Sequence, residues 1–257
     1  PPPSTPPPSQ RPAPVPSSGF PGWVTWSGRD VLKGLLAGLL IGLLLAPALV
    51  LPFDPDLDSD GALLAAQGLL GVTLVAVAIA GASNWKFGRL GEALRRLGAR
   101  AFSPSGIGWM FAMLFAYYAF AVIFSSLVLE PEQEDIGEQL GIGDETLAVA
   151  VLAVVLIVGL APISEELFFR GFVFGGLRKR FSFWPAVVIA GLIFGSIHAP
   201  TGITTVIPLA VLGGGFCWLY EKTGSIWPCV IAHMINNGIA VAAAGELDNS
   251  VVLPLLF

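Results

Sequence analysis

After Val31 the chain repeatedly runs close to 20 residues with almost no charge, the length that crosses the roughly 30 Å hydrocarbon core of a bilayer as a helix. The candidate spans are 34–51, 61–82, 106–129, 146–169, 184–199, 203–220 and 226–244, and a last apolar run, 251–257, is read as the opening of an eighth. Helices are expected because lipid offers no partner to an unpaired sheet edge, and the alternating ten-residue segments of a barrel are absent. The fold expected is therefore all-α, a polytopic transmembrane bundle of about seven to eight helices. Composition agrees: 54% of residues are hydrophobic and 12% charged, against about a quarter charged in soluble domains, and the mean hydropathy is +0.78. With 13 Lys+Arg against 18 Asp+Glu, there is no basic excess to hold nucleic-acid phosphates. A soluble enzyme and a disordered regulator are excluded on the same figures.

The chain divides into three parts. Ten of its 21 prolines lie within the first 21 residues, in a Pro/Ser run that buries too little apolar surface to order itself, so residues 1–30 are expected to form a disordered cytoplasmic tail. Residues 31–130 carry the first three spans, with an amphipathic surface helix expected near 85–102, where Leu90, Leu94 and Leu97 recur at helical intervals opposite basic residues. Residues 145–257 form the membrane domain that holds the chemistry. Cys217 and Cys229 lie within apolar stretches and read as packing residues.

Under seven crossings every Lys and Arg falls at one end: Arg11, Arg29 and Lys33, then Lys86 to Arg100, then Arg170 to Arg180, then Lys222. The opposite loops hold Asp54 to Asp60 and Glu130 to Glu145 without one cation. Positively charged loops stay in the cytoplasm, so the amino terminus is expected there. Trp23, Trp26, Trp85, Trp109, Trp184, Trp218 and Trp227 belong to the cationic end and read as an interfacial aromatic belt.

Ionisable groups within a span cost about 2.5 kcal/mol or more each on insertion scales, so the few present need a reason. Glu166 and Arg170 are i,i+4 partners on one helix face. Glu165 is rotated about 100° from that face, which leaves it free to take a proton from water as a general base must. The only two histidines, His198 and His233, lie in later spans, and Asn237 follows His233 by one turn. No span serine stands beside an activating Lys or His in sequence, and no charge adjoins either cysteine. Carboxylate with imidazole can activate water, and imidazole N–H with carboxamide N–H can stabilise an oxyanion.

In order along the chain, Glu165-Glu166-x-x-x-Arg170, Phe194-x-x-x-His198 and His233-x-x-x-Asn237 resemble the three signature motifs of the CAAX-prenyl protease and bacteriocin-processing family of intramembrane glutamic endopeptidases. The resemblance covers roughly 147–244, including the approach Leu219-Tyr220-Glu221-Lys222-Thr223-Gly224-Ser225-Ile226-Trp227 to the last motif. It implies a protease in which Glu165 activates water with help from His198, His233 and Asn237 form the oxyanion site, and Glu166 and Arg170 support the first carboxylate. No cofactor is expected. Two His and one Glu are also a donor set that zinc accepts, so a metal centre stays as an alternative, disfavoured because no HExxH spacing is present.

The partners implied are the lipid bilayer and a membrane-associated protein or peptide substrate in a bacterial plasma membrane, with no nucleic acid and no oligomeric state indicated. Two other readings compete: a catalytically silent scaffold or bacteriocin self-immunity protein, and an ion- or proton-coupled transporter using the buried Glu/His/Asn set as a relay. The depths of the motifs do not match if every helix is straight. Glu166 lies deeper from the cationic end than His233, which requires a break of the fourth span near Gly171 or Gly175-Gly176, or an earlier start of the seventh.

Overall fold

The computed structural model describes residues 22–45, 48–49, 51–52, 60–86, 90–127, 147–199 and 203–246. Among them there is helix and no strand. The expected tail up to residue 21, the acidic loops 53–59 and 128–146, and the run 251–257 lie outside the described residues.

Eight helices follow in order: α1 (Gly28–Leu40, continued as π-helix through Ile41–Leu45), α2 (Asp60–Ala82), α3 (Leu90–Arg96), α4 (Ser105–Leu127), α5 (147–178), α6 (Phe183–Ser196), α7 (Val206–Thr223) and α8 (Trp227–Glu246). Their ends follow local chemistry. The backbone N–H of Ser27 donates to Asp30 Oδ2 at 2.8 Å, closing the first turn of α1. Gly224 adopts φ +63 and donates to the Tyr220 carbonyl at 2.8 Å, terminating α7 in the left-handed conformation that glycine takes without strain. Leu64–Ala82, Ser105–Leu127, Val151–Arg178 and Ile203–Thr223 are long and apolar enough to cross a membrane, so the chain is a multi-pass membrane protein.

Three expectations are corrected here. The fourth span neither ends at residue 169 nor breaks at its glycines: α5 runs unbroken to Arg178, with π-helical stretches at Val155–Leu160 and Glu166–Phe174. Arg170 is therefore inside the bundle and not in the loop after it. α8 starts at Trp227, no earlier than expected. In place of a break, α5 carries its second π stretch directly after Glu165. The amphipathic segment is helical only over Leu90–Arg96, and Gly98 at φ +89 ends it. Its apolar side is only partly packed within the protein: Leu97 is fully buried and Leu94 half-buried, Leu90 stays exposed, and the Gly98 carbonyl accepts from Ile226 N–H at 3.0 Å.

The expected tail also ends sooner than residue 30. Trp26 is fully buried and its indole N–H donates to the Phe172 carbonyl at 2.8 Å. It is a core residue of the bundle, whereas Trp85, Trp109, Trp184 and Trp227 are exposed as a lipid-facing belt requires. Elsewhere at this end the Ser225 hydroxyl donates to the Arg100 carbonyl at 2.6 Å, and Arg178 pairs with Glu221 at 2.8 Å.

α6 and α7 approach most closely through glycine. A Cβ at Gly191 would lie 2.6 Å from the Ala210 carbonyl oxygen, so any larger residue would push the helices apart. With 14 residues, α6 is roughly 21 Å long, short of the hydrocarbon thickness. Of the expected span 184–199, the helix covers residues up to Ser196, and His198 stands in the turn that follows it.

Candidate active site

The site is assembled on α5 at the junction between Ala161–Glu165, which is α-helical, and Glu166–Phe174, which is π-helical. The change of turn width alters which side chains share a face, and both carboxylates meet α8. Glu166 is fully buried. Its Oε1 accepts from His233 Nδ1 at 2.9 Å, and its Oε2 lies 3.1 Å from Arg170 Nε. On the other side of the imidazole, His233 Nε2 stands 4.0 Å from Glu165 Oε2. That is too long for a hydrogen bond and is a separation that one water can bridge.

Arg170 is buried with an ion pair that lacks hydrogen-bond geometry, and none of its N–H groups has a hydrogen-bond partner among the described residues. Aromatic faces supply the compensation. The guanidinium carbon is 4.3 Å from the centre of the Phe194 ring, 4.8 Å from Phe216 and 5.9 Å from Phe169. The negative face of each ring attracts the cation where water is excluded. The same rings hold the imidazole: Phe216 stacks on His233 at 5.2 Å and Phe194 meets it edge-on at 5.9 Å.

His198 lies on the far side of Phe194, with ring centres 4.9 Å apart. With Nδ1–H donating to the Phe194 carbonyl at 2.8 Å, the neutral ring presents Nε2 as an acceptor. Asn237 lies one turn beyond His233 on α8 and donates from Nδ2 to the Ile157 carbonyl at 3.0 Å, in the first π stretch of α5. Its Oδ1 accepts from Asn236 Nδ2 at 3.5 Å. Asn236 is the more buried of the pair, and its Oδ1 accepts from the Tyr118 hydroxyl at 3.0 Å.

Glu165, Glu166, Arg170 and His233 thus form one contact group, with His198 joined to it through Phe194 and Asn237 one turn away. Sequence reasoning overlooked Tyr118 and the aromatic cage. Phe194 and Phe216 carry no pattern distinguishing them from core residues, although Phe194 opens the second motif. The Glu166–His233 bond was equally unforeseen. Among the described residues, no group of three or more His, Cys, Asp or Glu side chains is placed to hold a metal ion.

Residues 147–239 match the family model described as type II CAAX prenyl endopeptidase Rce1-like, which bears out the resemblance carried by the three motifs. The chain is 34% identical over 82 residues to the "Putative membrane peptidase YdiL" of Bacillus subtilis (strain 168), covering 32% of this chain and 33% of that protein. It is 26% identical over 167 residues to the "UPF0177 protein YxdF" of Lactococcus lactis subsp. lactis (strain IL1403), covering 64% of this chain and 89% of that one. The chain thus spans about a third of the first relative's length. No solved structure matches the chain significantly.

Proposed function

We propose that this chain, whose segment 147–239 is similar to type II CAAX prenyl endopeptidases, is a membrane-embedded endopeptidase that hydrolyses peptide bonds of membrane-associated proteins or peptides with water activated by Glu165. The observation that carries the reading is the arrangement of His233, held by Glu166 through one nitrogen at 2.9 Å while the other faces Glu165 at 4.0 Å. A carboxylate that fixes one imidazole nitrogen sets the direction and role of the other.

In this mechanism a water beside Glu165 loses a proton to the carboxylate, with His198 Nε2 as a second acceptor. The water oxygen forms a bond to the scissile carbonyl carbon. The carbonyl oxygen gains the charge and receives hydrogen bonds from His233 Nε2–H, in the protonated ring, and from the second N–H of Asn237. Collapse of this adduct breaks the C–N bond, and the proton held by Glu165 passes to the departing amine. Glu166 and Arg170 touch neither water nor substrate; they position His233.

The cationic end faces the cytoplasm in this reading, and the membrane is a bacterial plasma membrane, a reading supported by the bacterial organisms of the two relatives. The test is cleavage of membrane-anchored peptides by the full chain in liposomes. Wild type cleaves, also after exhaustive chelation, and Glu165→Gln does not. Equal cleavage by both proteins overturns the assignment, and activity lost to chelator and restored by zinc overturns the metal-free mechanism.

A further inference from the structure

A second site lies on the lipid-facing side of the bundle, across α7 from the catalytic group. An apolar groove of about 600 Å³ runs between α4, α6 and α7, lined among others by Ala112, Ala116, Tyr117, Val188, Ile207 and Gly214. On α7 the lining positions 207, 211, 214 and 218 fall on the face opposite Phe216, which packs against His233. The groove is therefore separate from the site described above.

Two observations specify its occupant. At the cationic end, where Trp184 and Trp218 line the groove, the exposed Lys222 ammonium lies 5.5 Å from the centre of Trp109 and 5.9 Å from that of Trp218. Lys222 has no ion pair among the described residues. Farther along, the hydroxyl of Tyr117, a residue only 3% exposed, is buried without a hydrogen-bond partner among the described residues. An unpaired buried hydroxyl carries a desolvation cost that a ligand acceptor removes. Tyr117 follows Trp109 by two turns of α4, and helical side chains lean toward their own N-terminus, which for α4 is the cationic end.

An anion at the interface, a hydrogen-bond acceptor a few ångströms deeper and an apolar chain beyond it describe one kind of molecule. We propose that the groove binds an anionic glycerophospholipid, with its phosphate at Lys222, an ester carbonyl accepting from the Tyr117 hydroxyl and one acyl chain lying along α7 toward Ile207. Lys222 attracts the negative headgroup and the tryptophans sit at headgroup depth. Ala112 and Ala116 leave the space that the chain fills.

The test is native mass spectrometry of the full chain released from nanodiscs containing equal amounts of phosphatidylglycerol and phosphatidylcholine. Wild type retains one phosphatidylglycerol in preference to phosphatidylcholine, and glycerol phosphate in the buffer does not displace it. Lys222→Gln reduces the preference about fivefold, the effect of one cation at a lipid surface. Tyr117→Phe weakens retention of both lipids. Ala116→Phe fills the exposed groove without touching the core and abolishes retention, while its helical circular dichroism stays that of wild type. Equal retention of the two lipids by wild type, unchanged retention in Ala116→Phe, displacement by glycerol phosphate, or a second copy or peptide in place of lipid overturns the proposal.

Discussion

His233 Nδ1 donates to Glu166 Oε1 at 2.9 Å, joining α8 to α5 across 67 residues of sequence. In the proposed mechanism the bond gives the two adjacent glutamates different tasks. Glu166 is hydrogen-bonded to His233 through one oxygen and ion-paired with Arg170 through the other, which in the proposed mechanism makes it a positioning residue. Glu165 keeps a carboxylate oxygen that no described residue engages by a hydrogen bond, directed at the far nitrogen of the same imidazole. Four consequences concern the site and its support, and a fifth the orientation of the chain.

Glu165→Gln keeps size and polarity and removes the proton acceptor. We expect normal yield of folded protein and loss of peptide cleavage. Glu166→Gln leaves Arg170 buried without its counter-charge, a loss in the range of about 3–5 kcal/mol, so thermal stability and activity should fall together. Comparing melting temperature with turnover for both variants decides the division of roles; a destabilised Glu165→Gln with a stable Glu166→Gln would reverse it.

Arg170→Lys retains a positive charge but loses the planar group that lies over Phe194 and Phe216. The expected cost is about 1–2 kcal/mol, the scale of a desolvated cation–π contact. Chemical denaturation of the purified variant measures it, and no change would mean that charge alone is needed.

The two neighbouring asparagines should separate. Asn237→Ala is expected to lower kcat by about 10²–10³, as loss of an oxyanion donor does, with little change in KM. Asn236→Ala removes the acceptor of the half-buried Tyr118 hydroxyl and should cost about 1–3 kcal/mol of stability with turnover retained in the folded fraction. A KM effect alone at Asn237 would assign it to substrate binding.

Trp26→Phe keeps a ring in the packed position and deletes the indole N–H that serves the Phe172 carbonyl in the π-helical stretch. A buried carbonyl left unpaired costs about 1–3 kcal/mol. Because Phe172 follows Glu166 on that stretch, activity should fall more steeply on heating than in wild type. A variant as stable as wild type would mean that the π turn does not depend on this bond.

Orientation is tested with single cysteines in intact cells. Arg180→Cys, at the cationic end, should label with an impermeant thiol reagent only after permeabilisation, and Gly61→Cys, at the opposite end of α2, should label before it. The reverse pattern would place the amino terminus outside.

The sequence by itself determined the class of fold and singled out the candidate site residues. Apolar runs of bilayer length admit few structures other than helices, because backbone polar groups in lipid must pair within the segment. Ionisable groups inside such runs are costly enough to call for a reason, which is how Glu165, Glu166, Arg170, His198 and His233, with Asn237 one turn after the last, became candidates. What the tertiary structure decided is how these groups meet. The i,i+4 pairing of Glu166 with Arg170 is local and was legible. The partner of His233 lies on another helix, and helix periodicity carries no information on which faces of two helices touch or at what depth. The π turns of α5, the burial of Trp26 beneath them and the rings of Phe194 and Phe216 around Arg170 arise from packing between segments distant in sequence. Their residues are apolar, and in a chain where nearly every residue is apolar, such a residue gives no sign of its neighbour.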